Sequence, residues 1–418
     1  MHVSVATLVL VPIAAALAPL LASFLNRWLA IPVIVFEIGL GILIGPHVAG
    51  WVKPDAFIAT LSDFGLAMLF FLAGFEIDFA RIKGRPLQRA GAGWVLSLAL
   101  GVVVGFATTQ VLSSAVLVGI CLTSTALGTL MPILRDAGQL NTRFGSAVLA
   151  TGAAGEFGPL IAVALLLSGR SPARAAVVLA VFAALVAVSL VLGIKLEHHP
   201  LKRQVSATLH TTGQFAIRLV ILVLAALVGL SLKLGLDMLI GAFAAGVMVK
   251  TLLAGIDPEE ARTVVAKLDA LAFGFLVPVF FINTGVTFDL AALGRLTTAL
   301  LVPLFAVAFL LVRGLPSTIA APPDADRRER AALAFFGETG LPIIVAVTAI
   351  GVDHGDLKTS TAAALIGAGM LSVLAFPILG LHTQAGQRDS VVVPADHSVV
   401  VPDIDHDDAD VVGLDPSV

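Results

Sequence analysis

Cysteine is almost absent: Cys121 is the only one in 418 residues. A disulfide within the chain needs two cysteines, and a CxxC redox or zinc motif needs two close together, so both are excluded. The apolar run around Cys121 gives it a packing role. Charge is scarce too. Asp, Glu, Lys and Arg make up 13% of the chain, against about 25% in a soluble globular protein. The net charge of −3 offers no basic surface to nucleic acid. There is no HExxH helix and no nucleophile elbow, and the nine histidines fall mostly in loops and termini, which argues against a membrane-embedded enzyme. No GxGxxG fingerprint opens a nucleotide-binding domain. The N-terminal stretch "MHVSVATLVLVPIAAALAPLLASFL" lacks the basic n-region of a secretory signal. It reads as a first membrane span, with cleavage near Ala22 as the alternative.

What is plentiful is apolar sequence, 58% of the residues, with a mean hydropathy of +1.02. A membrane helix needs roughly 20 such residues in a row. The pattern predicts an all-α polytopic membrane protein of about thirteen spans, near 4–25, 30–46, 57–77, 91–110, 114–134, 144–168, 173–194, 214–231, 234–251, 269–287, 297–316, 331–351 and 360–381. Basic residues orient them. The odd-numbered loops and the C-terminal tail hold seventeen Lys and Arg, the even-numbered loops six. By the positive-inside rule the N-terminus lies outside and the C-terminus in the cytoplasm, as an odd number of spans requires. The tail, 382–418, is rich in Asp and reads as a disordered, solvated cytoplasmic segment. Metal binding by Asp405, His406, Asp407 and Asp408 is its sharper alternative.

A charge at bilayer depth costs at least about 2.5–3.5 kcal/mol, so each one needs a partner, water or a function. Glu76, beside Asp78, reads as interfacial, and Arg218 as snorkelling from a span end. Glu37, Glu156, Arg313 and Glu338 are harder to place. Helix breakers accompany them. A proline has no N–H and clashes with the carbonyl four residues earlier. In span 6, "TGAAGEFGPLIAVALLLS", Pro159 frees the carbonyl of Gly155, beside Glu156. In span 5, "TSTALGTLMP", Pro132 frees Gly128 after Thr123, Ser124 and Thr125. In span 12, "GETGLP", Pro342 frees Glu338, and Gly337 and Gly340 flank it. Freed carbonyls at that depth must be buried in protein or face a wet cavity, where they suit a hard cation such as Na⁺. Spans 4–6 and 11–13 form corresponding triplets with the interrupted spans 5 and 12 in the middle, the pattern of an inverted-repeat transporter.

With these residues in view, the chain resembles the monovalent cation:proton antiporter-2 family of the sodium/proton exchanger superfamily, over nearly all of 1–381. Four stretches carry the resemblance: "IPVIVFEIGLGILIGP", with Phe36 where the family has Gly; "GLAMLFFLAGFEID"; "STALGTLMPILRDAGQLNTRFG"; and "VPVFFINTG". The resemblance implies inverted repeats with crossed broken helices at spans 5 and 12. It implies a core (91–168 and 297–381), a scaffold and dimer domain (4–77 and 214–287), a linker (173–194) and a homodimer in a bacterial inner membrane. Glu156 matches the family's ion-binding acid, but it replaces an Asp, and Gly155 replaces the preceding Asp, Asn or Gln. Arg313 stands where the family often has Lys.

The expected function is exchange of a monovalent cation, Na⁺ first and K⁺ as the alternative, for H⁺, without a cofactor. Glu156 would be the shared ion and proton site. Thr123, Ser124, Thr125 and the freed carbonyls, Gly155 among them, would complete an oxygen shell, with Arg313, Glu338 and Glu37 as supporting charges. With one carboxylate in span 6, exchange is expected to be electroneutral. The bland counterpart for Glu156 is a permanently protonated structural residue held by Arg313. A potassium efflux system, a channel-like relative and a non-transporting sensor are the competing functions. Members of the first kind usually carry a cytoplasmic regulatory domain, which this sequence does not show.

Overall fold

The computed structural model describes residues 4–25, 32–76, 84–127, 130, 134, 139, 142–166, 171–195, 214–255 and 257–385. Among the described residues it is helical, with no strand. The helices are α1 (Val5–Leu25), α2 (Val33–Ile44), α3 (Ala56–Glu76), α4 (Arg85–Thr109), α5 (Leu112–Cys121), α6 (Arg143–Leu166), α7 (Pro172–Lys195), α8 (Phe215–Lys233) and α9 (Met238–Leu253). Then come α10 (Pro258–Val286), α11 (Leu296–Ala320), α12 (Arg327–Phe336), α13 (Leu341–Asp353) and α14 (Thr359–Ala385). Among the described residues, nine helices are long and apolar enough to cross a membrane. The pair α12 and α13, bent by 40° at 337–340, makes a tenth, and α2, α5 and α9 are shorter apolar helices.

Among the described residues each expected span overlaps a helix, but boundaries move: α5 ends at Cys121 against an expected 134, α4 starts at Arg85 against 91, and the start of the tenth span and the end of the last shift as well. The expected span 10 began at 269, whereas α10 begins at Pro258. Asp257 accepts hydrogen bonds from the backbone of Glu259 and Glu260, and Pro258 takes the first helical position. That cap starts the helix in polar sequence, ahead of any apolar run. At the other end α14 continues to Ala385, past the expected start of the tail. The rest of the tail, Gly128 and Pro132 lie outside the described residues.

Packing sorts the helices. α3 packs against α9 and α10, α2 against α1 and α10, and α8 against α9. Separately, α4 packs against α5 and α6, and α14 against α11, α12 and α13. The α2–α10 contact is backbone to backbone: a Cβ on Gly41 would stand 2.9 Å from the Cα of Gly285, so both glycines are needed for helices this close. α6 is the central helix and is mostly buried, whereas α7 on the periphery is mostly exposed. Large side chains such as Val95, Val103, Val177, Leu222 and Leu296 are exposed. Such a belt suits contact with lipid rather than water.

Candidate functional site: a crossing of two unwound segments beside Glu156

α5 ends at Cys121, and a turn at Leu122 and Thr123 leads into the non-helical stretch Ser124–Ala126. α12 ends at Phe336, and Gly337–Gly340 is likewise unwound before α13. The two segments meet. The N–H of Ala126 donates to the carbonyl of Thr339 at 2.7 Å. The Thr125 hydroxyl donates to the Gly337 carbonyl at 2.6 Å. The Ser124 hydroxyl donates to the carbonyls of Cys121, 2.9 Å away, and Gly340, 3.3 Å away. Thr123 turns back to Ile120, donating to its carbonyl at 2.9 Å. The three hydroxyls therefore spend their protons on backbone carbonyls that the breaks leave open, as buried polar groups must.

α6 runs past this crossing, and Pro159 sits inside it without ending it. The Gly155 carbonyl, which Pro159 deprives of its helical donor, accepts the backbone N–H of Thr125 at 3.0 Å. Glu156 is buried; its carboxylate accepts from the Leu127 backbone, while Oε2 has no partner. Glu156 lines a cavity of about 110 Å³ together with Ala126 from the crossing, Pro342 and Ile343 from the start of α13, and Leu69, Ala73 and Glu76 from α3. The sequence places Glu76 at the membrane interface. It is the last residue of α3 and also shares this cavity, where the two carboxylates act on each other electrostatically.

Arg313 lies in a π-helical turn, Leu310–Gly314, of α11 and is fully buried. Such turns carry one extra residue and re-aim side chains. Its Nη2 donates to the Thr151 carbonyl at 2.6 Å, and its Nε to the Thr125 hydroxyl at 3.2 Å. Nη1 has no partner, nor has either oxygen of Glu338, the charge with which Arg313 interacts at longer range. Arg313 therefore bonds neither Glu156 nor Glu338 directly; it ties α6 to the crossing. Gly155 leaves room for it, since a Cβ there would stand 2.8 Å from Nη2 and overlap the Thr125 side chain. Thr151 was not singled out in the sequence. Its role is a backbone carbonyl, which no residue pattern advertises.

Glu37 is elsewhere. It is buried on α2 and lines a second cavity, of about 540 Å³, between α1, α2 and α10. Ile34, Leu69 and Phe273 line both cavities. Arg218 is exposed on α8, as expected of a snorkelling residue.

Known proteins with similar sequences or folds point one way. The sequence pattern described as "Sodium/hydrogen exchanger, transmembrane" matches residues 13–380. The putative Na(+)/H(+) antiporter YjbQ of Bacillus subtilis is 30% identical over 400 residues, which are 90% of this chain; the chain spans only 62% of that relative's length. The Na(+)/H(+)-K(+) antiporter GerN of Bacillus cereus is 27% identical over 64% of this chain and 69% of its own. The fold is similar to that of the sodium proton antiporter MjNhaP1 from Methanocaldococcus jannaschii, with a TM-score of 0.63, 17% identity, and coverage of 90% of this chain and 95% of that one. Carried by a pattern that extends over most of its length, this chain belongs to the sodium/hydrogen exchanger family.

Proposed function

We propose that the protein exchanges a monovalent cation for a proton across the membrane, with Glu156 as the site both compete for. The observation that carries this reading is the buried Glu156 Oε2, without a hydrogen-bond partner among the described residues, on a residue that lines a cavity with Glu76. A buried carboxylate with a free oxygen takes a proton or a cation, but not both. Its competition couples the two flows without further parts. Arg313 is bonded to Thr125 and Thr151 rather than to Glu156. This speaks against a structural glutamate neutralised by the arginine.

The chain's groups divide the work. Glu156 binds, and Glu76 draws a cation inward through the negative charge it adds. The Ser124 and Thr125 hydroxyls hold the crossing while Thr123 closes the end of α5. The Thr125 N–H already occupies one position on the Gly155 carbonyl, whose second lone pair stays available to an ion. The helices around α3 and α9 act as scaffold, those around α6 and α14 as the moving core, and sliding between them alternates access. With the basic loops in the cytoplasm, the cavity lies at the cytoplasmic half, where Lys250 donates to the Glu76 carbonyl at 3.1 Å. The state is then inward-facing. Na⁺ is the first candidate ion and K⁺ the second; two copies of the chain form the working unit in a bacterial inner membrane.

The test is cation-induced proton movement in proteoliposomes, wild type beside Glu156→Gln. Addition of Na⁺ or K⁺ should dequench an enclosed pH dye for the wild type only. Equal exchange by Glu156→Gln would make the carboxylate structural and end this reading. Silence from the wild type with every alkali cation would favour the sensor reading.

A further inference from the structure

The cavity around Glu37 has no part in the exchange just described, and its walls carry an unusual set of acceptors. Among the described residues, Glu37 makes no hydrogen bond or ion pair, and no Lys, Arg or His lines the cavity. A carboxylate left this way at bilayer depth is costly. Two facing helices add backbone acceptors. Pro19 in α1 and Pro278 in α10 each lack the N–H that would cap the carbonyl four residues earlier. Those carbonyls belong to Ala15 and Gly274, and both residues line the cavity with Glu37. Gly274 lies in a second π-helical turn, Ala272–Leu276, where regular bonding is already interrupted.

The remaining wall is apolar, with Phe273, Phe275 and Phe281 prominent. Phe273 and Phe275 are about half exposed, at 53% and 46%, on the belt that faces lipid. At about 540 Å³ the space is in the range that holds small organic ligands, roughly 300–1,000 Å³. An alkali ion would leave most of it unfilled and meet phenyl rings. A phosphate-bearing headgroup would find no cationic partner.

We propose that this cavity binds a phosphate-free primary ammonium ion with an apolar body, entering from the bilayer. Its three N–H donors match the Glu37 carboxylate and the carbonyls of Ala15 and Gly274. Its body packs on the phenyl rings, which also attract the cation. The site is separate from Glu156, although Ile34, Leu69 and Phe273 form a wall common to both cavities.

The experiment measures binding of phenethylammonium to the detergent-purified full chain by calorimetry, with 2-phenylethanol as the neutral comparator. Saturable binding is expected in the wild type and in Glu156→Gln. It should weaken at least tenfold in Glu37→Gln and vanish in Ala15→Phe, which fills the space and keeps the charge. Should Glu37→Gln fail to fold, Ala15→Phe and the comparator still decide. Binding only by unsaturable partition into micelles would overturn the proposal, as would equal competition by 2-phenylethanol or loss of binding in Glu156→Gln. Displacement by millimolar Na⁺ would make the site a hard-cation site, and displacement by phosphatidylethanolamine a lipid-headgroup site; either result also overturns it. Because the readout is binding, it stands or falls independently of proton exchange.

Discussion

The backbone N–H of Thr125 donates to the carbonyl of Gly155 at 3.0 Å. One bond thus joins the unwound end of span 5 to the carbonyl that Pro159 strips of its helical partner. It fixes the height of Glu156 against the crossing, because residue 156 follows that carbonyl directly.

Gly155 and Arg313 should behave as a coupled pair. Gly155→Asn places a Cβ against Nη2 and the Thr125 side chain, and overpacking of this kind costs about 1–3 kcal/mol. Arg313→Lys withdraws the second guanidinium nitrogen and should restore part of the loss. Thermal unfolding of both single variants and the double variant in detergent gives the cycle, with an expected coupling of about 0.5–3 kcal/mol. Strict additivity would show that the two positions do not compete for one volume.

Removing Arg313 altogether should be worse than removing the charge it faces. Arg313→Met leaves the Thr151 carbonyl and the Thr125 hydroxyl without their donor. Each such group costs about 1–3 kcal/mol. Glu338→Gln removes no hydrogen bond, since both carboxylate oxygens are unpartnered. Chemical unfolding should therefore rank Arg313→Met well below Glu338→Gln. The reverse order would make the Arg313–Glu338 attraction, rather than the bonds to α6 and the crossing, the main role of the arginine.

Exchange should be electroneutral, one proton per cation. Where the family has a second polar side chain before its acid, this chain has Gly155, and the guanidinium of Arg313 occupies that space. Arginine keeps its proton under nearly all conditions, so it adds no second proton to the cycle. In sealed proteoliposomes the initial rate should be unchanged by a clamped membrane potential. A rate that follows the potential would require another carboxylate, Glu76 or Glu338, to carry a proton as well.

A pH-dependent tie is expected at the far end of the core. The Thr359 hydroxyl donates to Asp289 Oδ2 at 2.8 Å and holds that carboxyl below its ordinary value. A depressed carboxyl contributes stability that is complete above the unfolded value, about 3.9, and is lost as pH falls through the lower folded value. Thr359→Val should melt slightly below the wild type at pH 6, and the gap should close toward pH 3. A gap that persists at pH 3 would assign the effect to packing.

Much of this was legible in the sequence because membrane burial leaves coarse marks. Apolar runs located the helices, and Glu156, Arg313, Pro159 and Pro342 stood out as residues that lipid does not tolerate without cause. The early start of α10 was hidden because Asp257 and Pro258 launch it in polar sequence, where hydropathy is silent. The contacts of Arg313 were hidden for another reason. Its partners are a backbone carbonyl at Thr151 and a hydroxyl at Thr125, and a sequence read one residue at a time does not report which distant backbone a side chain reaches. The Glu37 cavity arises where α1, α2 and α10 fail to close on one another, a volume that belongs to no single stretch.

Thr125 and Gly337 are 212 positions apart in the chain, and Thr125 and Arg313 are 188 apart. At about 5–20 residues per second, ribosomes take roughly ten to forty seconds to cover the second interval. During that wait the first half of the crossing sits in the membrane with hydroxyls, amides and Glu156 lacking their later neighbours. The nascent protein therefore passes through a stage in which its most polar membrane segment is its least settled. Quality control acting on the unfinished chain would meet this half-built crossing first, as a defect that only the last four helices repair.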